Sequence, residues 1–104
     1  MEIKHIVMWR VSGASAEERH ANSVVVCQAF ESLRGLIPGL LDMEMGIDTS
    51  DVDYACNIVM STRFQDPQSL KAYASHPEHL RVRQALGNLR TERFQVDYPV
   101  KKYR

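Results

Sequence analysis

Phe64-Gln65-Asp66-Pro67-Gln68-Ser69-Leu70-Lys71-Ala72-Tyr73-Ala74-Ser75-His76-Pro77-Glu78-His79 holds a strand end, a helix start and a helix break in quick succession. Asp66 ahead of Pro67 is a helix N-cap with proline in the first turn, where a missing N–H is no loss. Leu70, Tyr73 and Ala74 then recur at helical spacing as an inner stripe. Proline disfavours helical geometry at the residue before it, so the helix stops at His76 and Pro77 opens a second short helix to about Leu86. His76 is expected to cap that helix.

Upstream, Ile3 to Val11 alternate with the period of two of a strand, Ile3, His5, Val7, Trp9 and Val11 lying on one side. Ser15 and Glu18 form a capping box that starts a helix over Ala16 to Leu36. Its inner stripe is Ser23, Val26, Cys27, Phe30, Leu33 and Ile37, and Pro38-Gly39 closes it. Leu41, Met43, Met45 and Ile47 alternate with polar partners in a second strand, and Tyr54 to Phe64 make a third, the two joined through Asp48-Thr49-Ser50-Asp51 as a tight hairpin. Downstream, Phe94, Val96, Tyr98 and Val100 against Arg93, Gln95, Asp97 and Pro99 form the last strand, and Lys101-Lys102-Tyr103-Arg104 reads as a solvated end.

The resulting β-α-β-β-α-β order predicts an α+β domain spanning residues 1–104, a four-stranded antiparallel sheet with its helices on one face. Parity leaves Lys4, Ile6, Met8, Arg10, Asp42, Glu44, Asn57, Val59, Arg63 and Asp97 on the other face. Apolar groups mixed with opposite charges invite a second copy, with Arg10 or Arg63 pairing with Asp42, Glu44 or Asp97 across a two-fold axis. A homodimer is therefore expected.

Composition narrows the function. Thirteen basic and thirteen acidic side chains cancel, so nucleic acid is disfavoured as a partner. No run approaches the length of a membrane span, and the alternating N-terminus is unlike a signal peptide, so a cytoplasmic protein without membrane partners is expected. Cys27 and Cys56 lack metal-ligand or disulfide-framework spacing and read as buried free thiols. His5, His76 and His79 fit no standard metal site, and no flavin, nicotinamide or phosphate loop appears, so neither metal nor cofactor is expected. His20 sits in a charged helical turn and reads as solvated.

The Phe64–His79 segment, with Lys4-His5-Ile6-Val7, Ile37-Pro38-Gly39 and Val96-Asp97-Tyr98, resembles the Dabb family, the stress-responsive dimeric α/β-barrel proteins, over nearly the whole chain. The resemblance implies a ferredoxin-like monomer pairing into a dimeric barrel. That family includes plant stress-responsive proteins, bacterial members of unassigned role and olivetolic acid cyclase-like proteins. The cyclase uses a tyrosine and a histidine six residues later, which match Tyr73 and His79, while His5 matches a further pocket histidine. The implied pocket lies between sheet and helices, walled by His5, Val7, Trp9, Val26, Phe30, Met60, Tyr73 and His79.

Those residue types suit an aldol closure, in which His79 as base removes a proton between two carbonyls and Tyr73 donates to the developing enolate. A plain histidine–tyrosine contact bracing two helices, and a satisfied core histidine at His5, fit the same residues. Three functions therefore stay open: a binder of a small aromatic or polyketide-like ligand, a cyclase or lyase with a histidine base, and a non-catalytic stress-protective oligomer.

Overall fold

The computed structural model describes residues 1–101, which run β1 (Ile3–Val11), α1 (Ala16–Glu31), β2 (Leu40–Ile47), β3 (Ile58–Phe64), α2 (Pro67–Ser75), α3 (Pro77–Leu86) and β4 (Arg90–Pro99). The strands form one antiparallel sheet in the order β2-β3-β1-β4, a ferredoxin-like α+β fold. Val7, Trp9, Met43, Met60 and Phe64 on the sheet's inner face meet Val26, Phe30, Tyr73, Val82 and Leu86 from the helices in a single buried cluster. Among the described residues, no helix is long and apolar enough to cross a membrane.

Local signals act as expected at the helix starts. The Ser15 hydroxyl accepts the Glu18 N–H at 3.1 Å, while the Glu18 carboxylate accepts the Ala14 N–H at 2.6 Å. Asp66 Oδ1 accepts the Ser69 N–H at 2.7 Å, and His76 Nδ1 accepts the Glu78 N–H at 3.1 Å, so His76 caps α3 with its ring. Gly39, at φ +80°, turns the chain into β2 directly against Ser69, where any Cβ would collide with that side chain.

Four expectations are corrected. The first helix ends at Glu31, not Leu36, because Leu33, Arg34 and Leu36 donate to carbonyls three residues back and the chain continues as tight turns, carrying Leu33 and Ile37 into the core. The hairpin between β2 and β3 is wide, not tight. Asp48 accepts from the Ser50 hydroxyl and the Asp51 N–H, Asp51 turns left-handed at φ 54°, and Tyr54 ends 82% exposed. Strand pairing resumes only at Ile58, because Asn57 donates its N–H to the Trp9 carbonyl and accepts the Val11 N–H on its side-chain oxygen.

The third correction concerns β4, whose register sets Met8 opposite Phe94, Ile6 opposite Val96 and Lys4 opposite Tyr98. Cross-strand partners share a face, so Phe94, Val96 and Tyr98 lie on the open side, and Asp97, opposite His5, lies on the helix side. Asp97 therefore makes no ion pair across the open face. Arg63 pairs with Glu2 at 2.7 Å and Arg10 with Glu92 at 3.4 Å, both within the chain. Cys27 and Cys56 are free but half-buried rather than buried, burial raising the Cys27 thiol above its ordinary value with Glu31 adding to the rise. Of the expected solvated tail, Lys101 is exposed, while residues 102–104 lie outside the described residues.

Candidate functional site

The break between α2 and α3 builds the first half of the site. Pro77 has no N–H, so the Tyr73 carbonyl accepts from His76 N at 3.1 Å instead. The Glu78 N–H, which would otherwise reach Ala74, goes to the His76 ring, leaving the Ala74 carbonyl without a helical partner. His79 Nδ1 lies 3.1 Å from that carbonyl. A carbonyl only accepts, so Nδ1 carries the proton and Nε2 keeps its lone pair. The His79 ring lies 4.4 Å from the Tyr73 ring, centroid to centroid, at 44°.

Tyr73 is 4% exposed, and its hydroxyl has no partner among the described residues. Desolvation pushes its pKa up to about 12, Arg90 and Arg93 opposing the shift, so at neutral pH it is a hydrogen-bond donor and not a phenolate. Burial pushes the His79 pKa below its ordinary value, and Arg83, Arg90 and Arg93 push it the same way, while the Ala74 contact opposes them.

The second half comes from β4. His5 Nδ1 lies 2.5 Å from Asp97 Oδ1, and Asp97 Oδ2 accepts from Gln95 Nε2 at 2.7 Å. The carboxylate thus fixes the imidazole's orientation much as second-layer carboxylates do in other histidine sites. Trp9 stacks on Phe30 at 4.9 Å and 18°, and the Arg90 guanidinium lies 5.3 Å from the Trp9 ring and 5.4 Å from the Phe30 ring.

These groups line an open cavity of about 650 Å³, ample for a small organic ligand. Of the residues expected in its wall, His5, Trp9, Phe30, Met60, Tyr73 and His79 line it. Val7 and Val26 do not. Both are fully buried in the packed core behind the wall, because the helices press directly on the middle of the sheet and leave space only toward the β4 edge. Sequence reasoning missed Arg83, Arg90, Arg93, Gln95 and Asp97, which the β4 register and the α3 axis turn inward. The alternation of β4 is the available signal, but its two faces lie the opposite way round from the expectation. Among the described residues, no three of histidine, cysteine, aspartate and glutamate are grouped to hold a metal.

Residues 3–100 match the family model of the stress responsive A/B barrel domain, Dabb. The chain belongs to that family. Solved structures similar to this Dabb chain include a dimeric protein of unknown function with a ferredoxin-like fold from Bacteroides fragilis, 26% identical, covering 95% of this chain and 96% of that one at a TM-score of 0.77. A Dabb family protein from Mesorhizobium loti is 20% identical over 97% of this chain and 98% of its own, with a TM-score of 0.75. Hydroxynitrile lyase from Passiflora edulis shares the fold at 12% identity, covering 98% of this chain and 95% of its own, with a TM-score of 0.78. None of the curated proteins matches the chain.

The depressed His79 pKa gives the Dabb chain a pH signature. In the unfolded chain the imidazole takes a proton as pH falls through its ordinary 6.5, whereas the folded site resists it. His79 therefore contributes nothing to the pH dependence well above that value, and folding stability declines as acid is added, until the folded value is passed. Melting temperatures recorded from about pH 8 to pH 5 should fall less steeply for His79→Gln than for the wild type, and parallel profiles would refute the assignment.

Proposed function

We propose that the protein acts in the cytoplasm as a homodimer, joined through the open face of its sheet, and binds a small aromatic or polyketide-like molecule in the sheet–helix cavity. The observation that carries the ligand is Tyr73, which lines a cavity beside His79 and whose buried hydroxyl has no partner among the described residues. A buried hydroxyl without a partner is costly, so such groups are normally satisfied, and a ligand oxygen would satisfy this one. A purely structural oligomer has no need of that opening.

The dimer is supported by the apolar groups of the open face. Met8, Phe94, Val96 and Tyr98 are 41%, 48%, 60% and 46% exposed, an apolar concentration that a solvated sheet face does not need. Two free cysteines fit a reducing compartment.

A thermal-shift panel of phenolic and β-keto acids tests the ligand. Binding to the native state should raise the melting temperature of the wild type, and Tyr73→Phe should weaken that rise by about threefold to tenfold in ligand concentration. No stabilising compound, or an unchanged response in Tyr73→Phe, would overturn the proposal.

The Nδ1–H tautomer of His79 favours a second possibility, a cyclase or lyase. With Nε2 as base, a carbon between two carbonyls loses its proton to His79, the enolate oxygen accepts from Tyr73 O–H, and the carbanion closes on a second carbonyl of the same chain. The proton held on His79 then passes to the new alkoxide, so the ring closes with no net change in atoms or electrons. His79→Ala should abolish such turnover in a folded protein.

A further inference from the structure

Positive charge in this protein is gathered where the ligand would sit. The chain as a whole has a formal net charge of zero, yet Lys71, Arg83, Arg90 and Arg93 line the cavity against only Asp97 and Glu92. Both acids are already engaged, Asp97 by His5 and Gln95 and Glu92 by Arg10. Among the described residues, none of Arg83, Arg90 and Arg93 makes an ion pair, whereas Arg10, Arg34, Arg63 and Arg81 each do.

Arg90 is also held in place. Its guanidinium lies over both members of the Trp9–Phe30 stack, which fixes a planar fork in a partly desolvated position without neutralising it. Burial and then the neighbouring Arg83 and Arg93 work against its charge, so the cluster is unfavourable until an anion joins it. Tyr73 lines the same wall, and its buried hydroxyl, without a partner among the described residues, is a neutral donor.

We propose that the cavity selects aromatic ligands bearing a carboxylate, with the carboxylate seated on Arg90 and its neighbouring arginines and a ring oxygen accepting from Tyr73. The assignment rests on the ligand-binding function proposed above and names its substrate class. Guanidinium forks match carboxylates in two-point geometry, and in a partly dry cavity such a pair outweighs the same contact in water.

Trp9, the chain's one tryptophan, lies under Arg90 and provides the readout. Its fluorescence should be titrated with benzoate and 2,4-dihydroxybenzoate, and in parallel with their neutral counterparts benzamide and resorcinol. Each acid should bind about tenfold or more tightly than its counterpart, since a hydrogen bond to a charged group is worth at least that ratio. Arg90→Gln should erase the preference, bringing each acid's affinity to within about twofold of its neutral counterpart's, and Arg93→Gln should reduce it if Arg90→Gln does not fold. Acids binding no better than neutral compounds would overturn the carboxylate assignment and leave ligand binding standing. Failure of all four to bind would remove both. A preference that survives Arg90→Gln and Arg93→Gln alike would overturn the arginine seat.

Discussion

Replacing Val96 with glutamate is expected to split the proposed homodimer into a species sedimenting at the single-chain mass of 11.9 kDa. Val96 is 60% exposed on the open face, opposite Ile6 and flanked along β4 by Phe94 and Tyr98. A stable two-fold interface of ordinary size buries about 800 Å² per partner, and the alternate residues Phe94, Val96 and Tyr98 of β4 supply much of the exposed apolar surface of this face. Glutamate there would have to be desolvated without a partner, and its symmetry mate would face the same loss, a penalty of several kcal/mol per ion. His20→Glu, exposed on α1 on the helix side of the sheet, should leave sedimentation unchanged. A wild type that sediments as a monomer at micromolar concentration, or a Val96→Glu variant that stays dimeric, would refute the assignment of this face.

Phe64→Ala should produce the largest loss of stability. The side chain is fully buried at the end of β3, between Ile3 and Leu40 in the sheet. Its ring is 5.3 Å from that of Tyr73 and 6.3 Å from that of His5, so it supports both site rings from beneath. Removing it forfeits apolar burial and leaves a cavity, for a cost of about 3–5 kcal/mol. In a domain of this size that corresponds to a fall of roughly 12–20 °C in melting temperature. Phe64→Leu, which keeps most of the volume, should recover the greater part. Scanning calorimetry measures both, and a loss below about 1 kcal/mol in Phe64→Ala would show that the surrounding rings close over the gap.

The two variants separate what was legible in the chain from what was not. Helix starts were legible because their signals are local. Asp66 bonds three residues ahead and His76 two, distances that any extended chain already spans. The same locality brought Tyr73 and His79 together, since a helix, a forced break and a second helix leave little freedom between them. The width of the β2–β3 loop was not legible, because Asn57 is held by Trp9 and Val11, partners more than forty residues away in sequence.

By itself, the sequence determined the order of the elements, the antiparallel sheet and the capped break at His76-Pro77, while the pairing of Tyr73 with His79 is implied only by the family resemblance. Only the tertiary structure decided which way β4 faces. A period of two marks a pair of faces equally well in either assignment, and the choice depends on which side the helices cover and which is left open. With β4 in its observed register, Phe94, Val96 and Tyr98 turn outward. Asp97 reaches His5, and Arg90 and Arg93 turn into the cavity, so its charge arises from strand pairing over nearly the whole length of the chain.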